Sequence, residues 1–215
     1  NPNNLTTKEF LIDSYIDKLT CFVPYSFRID KLYEYEYNNR MVNLTWLNFY
    51  ESNIHKELSQ KYALNKGSNV KVSGFPVLDS YNVRFTQNLK TSNLSKRKKS
   101  KKKIIWAPHW TIKNYQETGL DWSCFLIYHE LFLELAIEFK EKLELSIKPH
   151  PFLKNILSQN NLWGKEKTEN YFKQWEILDN CEVVHGNYQE LFVESDALIH
   201  DSGSFMTEYL TIDKP

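Results

Sequence analysis

The sequence predicts an α/β fold whose second half is a parallel sheet flanked by helices, and three observations carry that expectation. Short apolar runs alternate with stretches of helical periodicity from Ile104 onward, three of those runs end in polar loops, and the last loop leads straight into another helical pattern. Strands that alternate with helices pair in parallel through right-handed crossovers. In such sheets, ligands bind at the carboxyl ends of the strands.

The elements follow in order. Residues 104–215 give the regular part. Ile104 to Ala107 is a short buried strand closed by Pro108, and Cys124 to Lys142 carries apolar residues at helical spacing, Phe125, Tyr128, Leu131, Leu135 and Phe139 among them. Leu143 to Ile147 returns as a strand ending at Lys148-Pro149-His150-Pro151. Glu166 to Leu178 reads as a helix, Cys181 to Val184 as a strand, Tyr188 to Val193 as a short helix and Ala197 to Ile199 as a strand. Phe205 to Leu210 then resumes the helical pattern.

Residues 1–85 carry a looser signal. Thr20 to Pro24 is a strand candidate, Trp46 to Leu64 reads as one helix, and Asn69 to Ser73 reads as a strand before Gly74-Phe75-Pro76 breaks it. This part is expected to be the closing portion of a preceding α/β domain. With no Met at the start and only one helix after its last loop, the chain reads as an internal fragment. Residues 86–103 form a polar linker that ends in a basic run, seven of the eight residues from Lys96 to Lys103.

The 215 residues have no net charge and are 41% hydrophobic and 15% aromatic, enough for a sizeable core. No apolar run reaches the roughly 18 residues of a membrane span. Cys21, Cys124 and Cys181 are sparse and unpatterned, which argues for reduced thiols in a cytoplasm and against a disulfide framework or a zinc site. The basic run is a solvated connection or a patch that would hold the protein against anionic lipid or polymer, at about 1 kcal/mol per basic residue. Without interleaved aromatics it does not suggest nucleic acid.

The loop His200-Asp201-Ser202-Gly203-Ser204 between strand and helix offers hydroxyls and free backbone N–H groups at the positive end of a helix dipole, the chemistry a phosphate needs. Gly203 would let the backbone approach closely; an N-cap serine with a turn glycine is the plainer alternative. His150 lies between two prolines that fix the backbone and can donate to a phosphate, unless it serves only packing or capping. His109 follows a strand and a proline on the same edge. Asp201 suits orienting the loop by hydrogen bonds better than ligating a metal, because no second carboxylate lies at ligand spacing. Glu208 is placed either to meet a ribose hydroxyl or to be a solvated helix residue. His200, His55, His129 and His185 read as structural.

These residues together resemble the CDP-glycerol glycerophosphotransferase family, the teichoic acid and capsule polymerases of GT-B fold. Val70 to Asp79 resembles the segment that closes its N-terminal domain, Ile104-Ile105-Trp106-Ala107-Pro108-His109-Trp110-Thr111 the opening of its C-terminal domain, and Lys148-Pro149-His150-Pro151 its basic-x-His-Pro motif. Ser195 to Ser204 is similar to its Ser-Asp, apolar, Asp-Tyr-Ser-Ser motif, and Lys214-Pro215 also fits. Asp201-Ser202-Gly203-Ser204 equally resembles the Asp-Ser-Gly-Gly loop of UDP-sugar 2-epimerases, so the nucleotide stays open. The family's catalytic His-Gly motif has no match here and is expected upstream of Asn1, which would leave the fragment inactive alone.

The resemblance implies a GT-B-like α/β protein with a truncated C-terminal nucleotide-binding domain. It also implies transfer of a polyol-phosphate from a CDP-linked donor to a surface-polymer hydroxyl. His150 and His109 would be catalytic, and Asp201, Ser202, Gly203, Ser204 and Glu208 would hold the donor, with no cofactor and no metal. The acceptor would be an anionic polymer or lipid-linked chain, met at the inner face of the membrane with Lys96 to Lys103 as the contact. A GT-B glycosyltransferase or epimerase-like enzyme using a UDP-sugar or CMP-sugar is the alternative, and a noncatalytic nucleotide-binding scaffold is the third.

Overall fold

A computed structural model describes residues 8–81, 101–112, 121–201 and 203–215. It divides into two units, Asn1–Asp79 and Ser80–Pro215. Ser80 and Tyr81 go with the second unit.

In the first unit, two single 3-10 turns precede β1 (Cys21–Phe22), α1 (Tyr33–Tyr37), α2 (Arg40–Leu44), β2 (Leu47–Tyr50), α3 (Asn53–Tyr62) and β3 (Val70–Val72). The strands pair in parallel in the order β1-β2-β3. The single helix expected from Trp46 to Leu64 is therefore wrong in its first third. Asn48 and Tyr50 of β2 alternate inward, the period of a strand. Asn48 also donates from its amide to the Val42 carbonyl, and the extended Ser52, at φ −154°, separates strand from helix. The apolar spacing runs on across this break, which hides it in the sequence.

A buried ion pair organises this unit. The Arg28 guanidinium donates to both Glu51 oxygens, at 3.2 and 2.7 Å, and lies 4.0 Å from the Tyr50 ring centroid and 4.9 Å from that of Tyr37. Burial works against both charges, yet their mutual hydrogen bonds and attraction prevail, holding Arg28 above and Glu51 below its ordinary pKa. His55 fastens the knot: one ring nitrogen meets the Ser52 hydroxyl at 2.7 Å and the other the Arg28 carbonyl at 3.0 Å.

The second unit contains β4 (Lys102–Ala107), α4 (Phe125–Glu138), β5 (Leu143–Ile147), α5 (Leu153–Leu157), α6 (Gly164–Ile177), β6 (Cys181–Val183), α7 (Gln189–Glu194), β7 (Ala197–His200) and α8 (Gly203–Leu210). All strand pairs are parallel, in the order β6-β5-β4-β7. Every strand expected here is present, and α5 is an additional turn of helix. β4 starts earlier than expected, so Lys102 and Lys103 belong to the sheet and not to the basic linker. They pair in register with Leu143 and Glu144, and their ammonium groups meet Asp196 at 3.1 Å and Glu194 at 3.2 Å. Lys96 to Ser100 lie outside the described residues.

The core sits between the sheet and α4 and α6. Trp106 of β4 stacks on Phe132 at 4.0 Å and Phe125 at 5.5 Å, with Trp175, Ile147 and Leu157 fully buried around it. At the other end of the unit, Lys214 donates to the carbonyls of Phe192 and Ser195 at 3.2 and 2.6 Å, a cation on the negative end of α7. Among the described residues, no helix is long and apolar enough to cross a membrane.

Candidate functional site

The strand order brings the three polar loops together. β5, β4 and β7 are neighbours and parallel, so Lys148-Pro149-His150-Pro151, Pro108-His109-Trp110-Thr111 and the loop beginning at Asp201 emerge side by side at one edge. The chain reverses direction across the sheet between β6 and β7, and at such points parallel sheets open a crevice for ligands.

Asp201 ties the edge together. Its Oδ1 accepts the His109 backbone N–H at 2.5 Å, and its Oδ2 accepts that of Cys124 at 2.9 Å. A single carboxylate therefore fixes the end of β4 and the start of α4 relative to β7. Among the described residues, no group of three His, Cys, Asp or Glu side chains could hold a metal ion.

The two expected histidines lie against each other, with ring centroids 5.1 Å apart. The hydrogen bonds assign their tautomers. His109 Nδ1 accepts the Thr111 N–H at 3.3 Å and faces the Thr111 hydroxyl at 2.8 Å, while His150 Nδ1 accepts the Phe152 N–H at 3.2 Å. In each neutral ring the proton is then on Nε2, available to donate. Both rings stay neutral at pH 7: burial lowers the pKa of His109, opposed by Asp201, and burial, His109 and Lys148 push that of His150 down to about 4.

Lys148 is a site residue that sequence reasoning missed, although it stood inside the quoted motif. It is only 7% exposed, burial lowers its pKa, and its ammonium lies 5.8 Å from the Tyr188 ring centroid. Among the described residues, no carboxylate forms an ion pair with it. A cation desolvated without a counter-ion is costly to keep, and an anionic ligand would relieve that cost.

Gly203 and Ser204 open α8 directly after the β7 loop, and Ser202 lies outside the described residues. Glu208 is not a solvated helix residue. It is 3% exposed, and its carboxylate accepts the hydroxyls of Tyr188 at 2.8 Å and Tyr81 at 2.9 Å. Burial raises its pKa, with the two hydroxyls opposing. Its acceptors are thus engaged by protein groups, one of which is the ring beside Lys148.

The family model for CDP-glycerol:poly(glycerophosphate) glycerophosphotransferase matches residues 35–215. The chain belongs to that family. Among solved structures, it is similar to the wall teichoic acid polymerase TagF, with TM-score 0.55 and 17% identity over 93% of this chain and 49% of that one. A variant of the same polymerase gives TM-score 0.56 and 18% identity over 100% and 51%. The likeness shows the fold, an α/β arrangement of GT-B type. A UDP-GlcNAc 2-epimerase from Methanocaldococcus jannaschii, at TM-score 0.49 and 16% identity over 81% and 45%, is too distant to carry an argument. No curated protein matches at the sequence level. The chain spans about half the length of the polymerase structures, 49% and 51%.

Proposed function

We propose that the β5-β4-β7 edge binds the diphosphate of a CDP-linked polyol, and that the whole protein transfers the polyol-phosphate to a hydroxyl of a surface polymer. The observation that carries this reading is Lys148, a buried ammonium without a carboxylate partner, set beside two neutral imidazoles that offer N–H donors. Membership of the glycerophosphotransferase family supports the donor class.

The chemistry follows from the donors. The acceptor hydroxyl attacks the β-phosphorus in line, the bond from that phosphorus to the bridging oxygen breaks, and CMP leaves. Its charge is met by Lys148, the His109 and His150 N–H groups and the α8 dipole, so the site contributes positioning and electrostatics. Neither histidine suits the role of general base, because each Nδ1 is occupied and burial disfavours a second proton. The acceptor's proton goes to a base elsewhere in the complete protein. The acceptor is a polymer or lipid-linked chain, and contact with the membrane face runs through the basic residues before β4.

Calorimetric titration with CDP-glycerol, CMP, CDP, UDP and UDP-N-acetylglucosamine tests the reading, repeated on His150→Ala and Ser202→Ala. The expected result is selective binding of the cytidine compounds, weakened about tenfold or more in both variants. Preference for uridine compounds would move the reading to sugar transfer, which the Asp201-Ser202-Gly203-Ser204 loop also suits. Absence of nucleotide binding by the whole protein would overturn it.

A further inference from the structure

The two histidines of this edge are held by unlike partners. His150 Nδ1 accepts one bond, from the Phe152 backbone N–H at 3.2 Å. His109 Nδ1 meets two groups of a single residue, the Thr111 N–H at 3.3 Å and the Thr111 hydroxyl at 2.8 Å. Thr111 itself is 2% exposed, in the loop that follows β4.

The direction of the hydroxyl proton follows from its neighbours. An N–H can only donate, so the Thr111 N–H requires a lone pair on Nδ1, and the hydroxyl beside it donates to that same lone pair. The N–H bond, at 3.3 Å, lies past the usual range, whereas the hydroxyl approaches to 2.8 Å and is the stronger hold. The hydroxyl oxygen meanwhile accepts the Trp122 N–H at 3.3 Å, and the Thr111 carbonyl accepts that of Ser123 at 3.0 Å. A branched side chain has few rotamers to visit, which keeps the hydroxyl where these bonds place it. On the backbone side, Asp201 Oδ1 holds the His109 N–H. Among the described residues, no hydrogen bond takes His109 Nε2.

We propose that Thr111 is a positioning residue acting through His109: its hydroxyl holds the imidazole as the Nε2–H tautomer, so that a proton and not a lone pair is offered to the transferred phosphoryl group. A ring free to exchange tautomers spends part of its time presenting a lone pair to anionic oxygens, which replaces a charge-assisted hydrogen bond by repulsion. The bond from Trp122 needs only the hydroxyl oxygen. The proton on His109 is what a threonine kept for the fold alone would not have to supply.

This inference rests on the proposed donor site, and its test separates the two. NMR of the full chain labelled with nitrogen-15 in histidine reads the tautomer without any nucleotide, and His109→Gln assigns the ring signals. In the wild type Nδ1 should be bare and Nε2 protonated; Thr111→Val should give a mixture of tautomers, and Thr111→Ser should restore the wild-type state. Should Thr111→Val not fold, Thr111→Cys, whose thiol is a weak donor, should give an intermediate mixture. A proton on Nδ1 in the wild type, or an unchanged tautomer once the hydroxyl is gone, would overturn the proposal whatever the donor is. In turnover of CDP-glycerol, Thr111→Val should lower kcat about tenfold with little change in donor KM, because the charge that the N–H meets develops in the transition state. Thr111→Ser should recover the rate, and Thr111→Val added to His109→Gln should cost nothing further. An equal loss in the His109→Gln background would assign Thr111 to the fold and overturn the proposal. A tautomer held as expected in a protein that does not turn over CDP-glycerol would overturn the donor assignment and leave the hold of Thr111 on His109 standing.

Discussion

The two units handle buried charge in opposite ways. Arg28 is enclosed with its counter-ion Glu51, whose side chain is 1% exposed, through two hydrogen bonds, with two tyrosine rings against the guanidinium and His55 beside the carboxylate, although Arg28 Nη1 has no hydrogen-bond partner. Lys148 is enclosed with an aromatic ring and two neutral imidazoles, and no carboxylate. A charge that holds its counter-ion serves the architecture, whereas a buried cation without one at a sheet's carboxyl edge suits the anion proposed above. The two clusters differ in the presence of a counter-ion, since both are buried and both lie among aromatics.

The largest expected effect breaks the satisfied side. Glu51→Gln leaves Arg28 charged and unpaired, and chemical denaturation should show a loss of about 3 kcal/mol from the first unit. A loss below about 1 kcal/mol would mean that the tyrosine faces alone satisfy the cation.

Removing the unsatisfied cation should do the reverse. Lys148→Met is expected to leave the second unit as stable or slightly more so, while nucleotide affinity in calorimetry falls about tenfold or more. Destabilisation by Lys148→Met would assign the lysine to the architecture.

The smallest effect sharpens the contrast through pH. The pKa of His150 is depressed from 6.5 to about 4 in the folded state, so the unfolded chain takes up a proton that the folded chain refuses. Stability should be unaffected by this group above pH 6.5 and decline as pH falls toward about 4. The decline is on the order of 1 kcal/mol, less than a fully buried ring would give, because the ring is partly solvated. His150→Gln, which does not titrate, should flatten that part of the profile, and an unchanged slope would place the titrating group elsewhere.

The legibility of the fold in the sequence varied with periodicity. From β4 onward each strand is an apolar run closed by a proline, a glycine or a charged turn, and each was readable. In the first unit, β2 and α3 abut across only Glu51 and Ser52, so two periods fuse into one apparent helix. Lys102 and Lys103 looked like linker because composition does not show which lysines find a carboxylate across the sheet. At the site, the loops were legible as His- and hydroxyl-bearing strand ends, and the parallel order made them neighbours. The tautomers were not, because they depend on how each loop bends back onto its own histidine, from Thr111 and Phe152 two residues on, and neither were the burial of Lys148 and the engagement of Glu208, which depend on residues more distant in sequence. Tyr81 and Glu208 are separated by 127 positions.

Asp201 has a consequence of a mechanical kind. One oxygen holds the loop of His109 and the other holds the start of α4, immediately after Trp122, while the next residues of the chain lead into α8. The carboxylate is thus one fixed point shared by three elements, and its removal would release the His109 loop and the start of α4 from the end of β7 together.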